Sequence, residues 1–185
     1  MRNTVRFGVL LAIMLGAVFA FAQYPAQQAF AARCGKKADE RPRLFATTNG
    51  KRWAEYATLE EEPDTKGGAA QTAAMFEAGA NRYVVTQSEG PDYWLVRDYC
   101  FAPDGKLIGW RTDLDRDESW TYVAVAWVSE GALKVESEGY YDIEKKLNDL
   151  PADAAQFKAL TAPKLYDSFQ ELPFANLPKK PESSK

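Results

Sequence analysis

From Arg82 onward the chain is cut into short runs in which apolar and polar positions alternate: RYVVTQ, DYWLVRDYCF, KLIGWRTDL, SWTYVAVAWV and ALKVESEGYYDI. Each run is rich in β-branched and aromatic residues, and the stretches between them (SEGP, APDG, the acidic DLDRDESW and SEG) carry the Gly, Pro, Asp and Ser of turns. Connections this short join antiparallel neighbours. The pattern predicts an up-and-down meander over roughly residues 82–143.

Period-two alternation sorts the faces. In the second run Tyr93, Leu95, Arg97, Tyr99 and Phe101 point one way, and Trp94, Val96, Asp98 and Cys100 the other. In the third, Ile108, Trp110, Thr112 and Leu114 oppose Leu107, Gly109, Arg111 and Asp113. Large apolar groups stand on both sides, so neither face is suited to water. TYVAVAWV, apolar throughout, reads as the most buried, central strand.

The cover is expected from the C-terminal region. NDLPADAAQFKAL offers Asn148 or Asp149 as a cap, Pro151 near the first turn, and Phe157 and Leu160 three apart. PKLYDSFQEL repeats the signal with Leu165, Phe169 and Leu172 on one stripe. The expected fold class is therefore α+β: a twisted antiparallel β-meander of about five to seven strands with two short C-terminal helices.

Upstream the pattern weakens. Asn49-Gly50, between Leu44 and Phe45 on one side and Trp53 and Tyr56 on the other, predicts a first hairpin, because both central residues of a type I′ turn need positive φ. A short helix over 51–62, with Trp53, Tyr56 and Leu59 on one face, is the alternative. Glu60–Gly68 is a charged loop, and AAQTAAMFEAGA (69–80) reads equally as strand or helix.

The first 22 residues add a compartment. Arg2 and Arg6 precede an uncharged apolar stretch, and Ala20-Phe21-Ala22 is a small-x-small cleavage site before Gln23. The organisation expected is a signal peptide over 1–22, an extended or partly helical lead-in over 23–40, one α+β domain over 41–176, and a disordered tail over 177–185. Export to a periplasmic or extracellular location follows, with no membrane span once the leader is removed.

The formal charge of −3 becomes about −5 without Arg2 and Arg6. An acidic balance with no basic cluster argues against nucleic acid. The two cysteines, Cys34 and Cys100, read as one disulfide in an oxidising compartment, closing a loop of about 67 residues for about 4 kcal/mol in the chain-entropy account.

The chain has no histidine. That removes Ser-His-Asp and Cys-His catalysis, histidine-ligated zinc and histidine acid–base chemistry. Carboxylate chemistry and oxygen-ligated metals remain. Asp113, Asp115 and Asp117 alternate as at the start of an EF-hand loop, but Glu118 stands where that loop needs glycine and Ala124 where it needs glutamate. The acidic stretch 113–119 is thus a candidate only for a looser calcium site, with a polar turn as the plainer reading; otherwise no cofactor is expected.

Among the five tryptophans, Trp94, Trp110 and Trp120 are the candidates for stacking on a ligand, whereas Trp53 and Trp127 read as packing residues. The function expected is that of a monomeric, non-enzymatic binding or envelope-associated protein, its site an aromatic-lined sheet face that takes a small or extended ligand or an unidentified protein partner. Two alternatives stand beside it: a calcium-stabilised structural or carbohydrate-binding module built on 113–119, and a carboxylate-dependent hydrolase.

Overall fold

Strand pairing extends further along the chain than the meander alone. The computed structural model describes residues 25–37, 40–48, 52–56, 71–116, 119–142, 145–162 and 164–178. The leader and its cleavage site, the Asn49-Gly50 turn, the Glu60–Gly68 loop, Asp117 and the tail beyond Pro178 lie outside the described residues.

Among the described residues nine strands form one antiparallel sheet in the order β2-β1-β3-β4-β5-β6-β7-β8-β9, against the five to seven expected. They are β1 (Arg43–Thr48), β2 (Arg52–Tyr56), β3 (Gln71–Ala78), β4 (Asn81–Glu89), β5 (Trp94–Phe101), β6 (Leu107–Arg116), β7 (Trp120–Ser129), β8 (Ala132–Asp142) and β9 (Lys145–Lys146). The additional strands have a physical reason. The alanine-rich QTAAMFEA has little strand preference of its own, but β3 is laddered on both sides, to β1 through Phe45↔Ala73 and to β4 through Met75↔Val84. Tertiary pairing decides its state. Trp53 and Tyr56 likewise lie in a strand and not in the alternative helix, because β2 pairs with β1 from Leu44↔Tyr56 to Thr48↔Arg52.

Both sheet faces are covered, each by different material. On one side lies helix α1 (Pro25–Cys34), which buries Gln27, Phe30, Ala31 and Cys34 at helical spacing. Gly35, with φ 96°, ends it: the Lys36 amide donates to the Ala31 carbonyl at 3.0 Å and the Gly35 amide to Ala32 at 2.9 Å, a Schellman closure. The Cys34–Cys100 disulfide, Cα–Cα 5.7 Å, ties the helix to β5. Phe30 packs with Trp127 at 4.6 Å between ring centroids, and the Trp127 ring lies over Gly109, where a Cβ would sit 2.5 Å from it.

The opposite face is covered by residues 154–162 and 164–178, in a form other than the two helices expected. A 3-10 turn (Ala154–Phe157) runs into the single-turn helix α2 (Lys158–Thr161), and the second expected helix is a 3-10 turn (Phe169–Glu171). Ala162 and Leu172 are extended, at ψ 140° and 134°, and each precedes a proline in the sequence. Proline disfavours the helical conformation for the residue before it, so each turn stops there. What remains is a strap, docked by Phe169, Leu172 and Phe174 on a core that includes Phe45, Val84, Phe101 and Trp110. Its backbone joins the sheet margin: the Phe169 amide donates to the Gly105 carbonyl at 2.7 Å and the Leu107 amide to Asp167 at 3.2 Å. Among the described residues no helix is long and apolar enough to cross a membrane.

Candidate functional site

Strand β5 supplies both interiors. Alternation sends Asp98 and Cys100 toward α1, and Leu95, Arg97, Tyr99 and Phe101 toward the strap. Two polar arrangements result, one on each face.

Beneath the strap is an open cleft of about 70 Å³. Trp53, Tyr99, Tyr166 and Phe174 form its aromatic walls, Arg97 and Lys164 its cations, and Thr86 and Ser88 contribute hydroxyls. The walls hold the roof in place. Tyr99 Oη donates to the Lys164 carbonyl at 3.1 Å, and Arg97 Nη2 donates to the Leu160 carbonyl at 3.0 Å. Phe174 stacks on Phe45 at 4.7 Å and meets Trp53 at 4.8 Å, while Tyr166 stands edge-on to Tyr99 at 5.5 Å. Burial raises the Tyr99 hydroxyl well above the ordinary tyrosine range, so it stays protonated as the donor this anchor needs.

On the α1 face a carboxylate pair shares one cation. Arg111 Nη1 donates to Asp98 Oδ2 at 2.6 Å and Nη2 to Asp113 Oδ2 at 2.5 Å. Asp98 also accepts from Tyr83 Oη at 2.5 Å and Gln27 Nε2 at 3.3 Å. Asp113 Oδ1 is buried with no partner among the described residues. Burial pushes the Asp113 carboxyl up to about 6; Arg111 opposes the shift, and the nearby charges of Asp98 and Asp115 add to it. Asp98 is 0% exposed and Asp113 6%, so the pair offers a substrate no open carboxylate face. Two acids held by one guanidinium in the interior form a structural unit, unlike acids placed across a cleft.

The sequence candidates are dispersed. Trp110 is 2% exposed in the core under the strap, and Trp120, at 5%, packs with Tyr140 and Phe157 at one end of the sheet and donates Nε1–H to Asp153 at 2.8 Å. Trp94 is half-buried on the α1 face, cross-strand from Asp115, and Val96 is cross-strand from Asp113. Asp113 and Asp115 thus share a face with Trp94, while Asp117 lies outside the described residues. Among the described residues no group of three or more carboxylate or cysteine side chains is placed to hold a metal ion.

None of the cleft residues was a sequence candidate for binding, and Trp53, read there as a packing residue, both packs on Phe174 and lines the cleft. Alternation did place Arg97 and Tyr99 on one face; nothing local connects them to Trp53 or to Lys164, Tyr166 and Phe174, which come from distant parts of the chain. No protein-family model matches the chain, and no curated protein or solved structure is significantly similar to it.

Proposed function

We propose that this is an exported binding protein that accepts one end of a small or extended ligand in the cleft beneath the strap. The supporting observation is the convergence of Trp53, Tyr99, Tyr166 and Phe174 on an open cleft whose roof is tied to its floor. Aromatic walls with a few placed polar groups are shared with small-molecule sites, but at about 70 Å³ the cleft is smaller than the usual pocket and takes only one end of a ligand. Pre-attachment of the roof lowers the ordering cost of binding. Export rests on the N-terminal leader pattern, and the Cys34–Cys100 disulfide is compatible with an oxidising compartment.

Titration of the purified protein with aromatic acids, short sugars and short-chain amphiphiles, followed by amide and indole chemical shifts, tests the site. Saturable changes are expected at Trp53, Ser88 and Tyr166, and Trp53→Ala should weaken them. Changes centred on Trp94 instead would overturn the assignment. Mass spectrometry of the protein recovered after expression tests export: a chain starting at Gln23 is expected, and an intact Met1 terminus would contradict it.

A further inference from the structure

The charge lining the cleft runs against the charge of the chain. The protein has 26 acids against 23 lysines and arginines, yet the described residues lining the cleft include Arg97 and Lys164 and no Asp or Glu. Neither cation forms an ion pair among the described residues, whereas Arg33, Arg43, Arg111 and Arg116 all do. Arg97 commits Nη2 to the Leu160 carbonyl, and Lys164 holds its ammonium 5.6 Å from the Tyr166 ring. Each retains donors beyond these contacts, since a guanidinium carries five and an ammonium three. Ser88 and Thr86 add neutral hydroxyls at the same cleft.

Size limits what enters. A 150 Å³ apolar cavity is known to hold benzene. At about 70 Å³ the cleft admits a group of only a few heavy atoms, a headgroup and not a whole molecule. The half-buried rings of Trp53 and Tyr166 flank it, giving an apolar body a surface to rest on outside.

Building on the cleft as the binding site, we infer that its ligand is an oxyanion headgroup, carboxylate or phosphate, carried on an aromatic or apolar body. Arg97 and Lys164 take the anion through charge-assisted hydrogen bonds, and the rings of Trp53 and Tyr166 support the body that carries it.

The experiment compares matched probes on the whole protein: benzoate against benzamide, and phenyl phosphate against inorganic phosphate, each titrated by chemical shift. An anionic phenyl probe should move the Trp53 indole and Ser88 amide signals saturably, with benzamide weaker than benzoate by about tenfold or more, the usual worth of hydrogen bonds to a charged group. Lys164→Gln, a change at an exposed side chain, should weaken the anion by about two- to fivefold, the worth of an exposed ion pair, and leave benzamide unchanged. Arg97→Gln should do the same provided it folds, and Lys164→Gln decides the matter if it does not. If benzamide matches benzoate and Lys164→Gln changes neither, the anion inference fails while the cleft remains the site. If no probe moves the cleft signals, both fail. Inorganic phosphate binding as tightly as phenyl phosphate would overturn the headgroup-on-a-body reading in favour of a free anion. Shifts spread over surface lysines and indifferent to Lys164→Gln would overturn the inference altogether.

Discussion

Asp113 carries a charge that its surroundings cannot balance. Arg111 serves two carboxylates; Asp98 accepts three hydrogen bonds, and Asp113 accepts one, with Oδ1 unpaired. The surplus negative charge therefore falls on the less satisfied acid, and burial raises its pKa to about 6. A folded pKa above the unfolded value near 3.8 means the folded state holds the extra proton. The stability this adds is fully present below pH 3.8 and is lost as pH rises through about 6. Urea unfolding of the wild type and Asp113→Asn at pH 4 and pH 7.5 should show the wild type losing about 2 kcal/mol more than the variant over that interval. Equal losses would show that Asp113 is not the titrating group. Trp110 offers a second comparison in the core. Its indole Nε1 has no partner among the described residues, so Trp110→Phe removes an unpaired donor while opening a small void. The two effects nearly cancel: Trp110→Phe should stay within about 1 kcal/mol of wild type in chemical denaturation, against about 3–5 for Trp110→Ala. A large loss for Phe would reveal a hidden partner. At this scale the sequence shows residue type and facing, so Asp98 and Arg111 fall on faces that alternation identifies. It does not show that their strands pair Asp98 with Arg111, and hence that the acids of 113–119 include one locked in the interior.

The β7–β8 hairpin turns through Glu130 and Gly131, with φ 55° and 79°. A two-residue loop with positive φ at both centres suits Asn-Gly, and glutamate there is strained by about 1 kcal/mol. Glu130 also pairs with Lys134 at 2.5 Å, but both side chains are exposed, which limits the pair to about 0.5 kcal/mol. The strain is the larger quantity. Glu130→Asn should thus raise stability by about 0.5 kcal/mol and the thermal midpoint by about 1–2 °C. A fall would show the ion pair to be stronger than exposure allows. Elements were legible where one signal dominated: the β4–β8 runs combine β-branched residues with turn punctuation. α1 was obscured because alanines occupy both its buried and exposed positions, Ala31 inward and Ala29 outward, which erases the contrast that periodicity needs. In the strap the spacing of Phe169 and Leu172 was real, since both are buried, but Leu165 is 44% exposed and the stripe does not continue. The proline after Leu172 ends the 3-10 turn there.

At the scale of the whole molecule, the sheet separates two jobs. One face carries α1, the disulfide and the Asp98–Arg111–Asp113 unit; the other carries the strap and the cleft. The disulfide pairing was legible because only two cysteines exist. The cleft was not, because it joins β2, β4 and β5 to a segment more than sixty residues downstream of β5, and no local pattern encodes that meeting. The division has a measurable consequence. Opening Cys34–Cys100 frees a span of 66 in sequence separation, acting chiefly on the unfolded ensemble, for about 4 kcal/mol. α1 keeps the burial of Phe30 against Tyr83 and Trp127 without it. The Cys34→Ser/Cys100→Ser double variant should therefore unfold at a much lower urea concentration while still folded at low temperature. Its affinity for any cleft ligand should match wild type, because Tyr99, Arg97 and the strap are anchored on the other side of the sheet. Loss of affinity alongside a native-like circular dichroism spectrum would mean that the two faces are coupled through β5. Asp98 and Arg97 are neighbours on that strand, and their side chains point to opposite interiors.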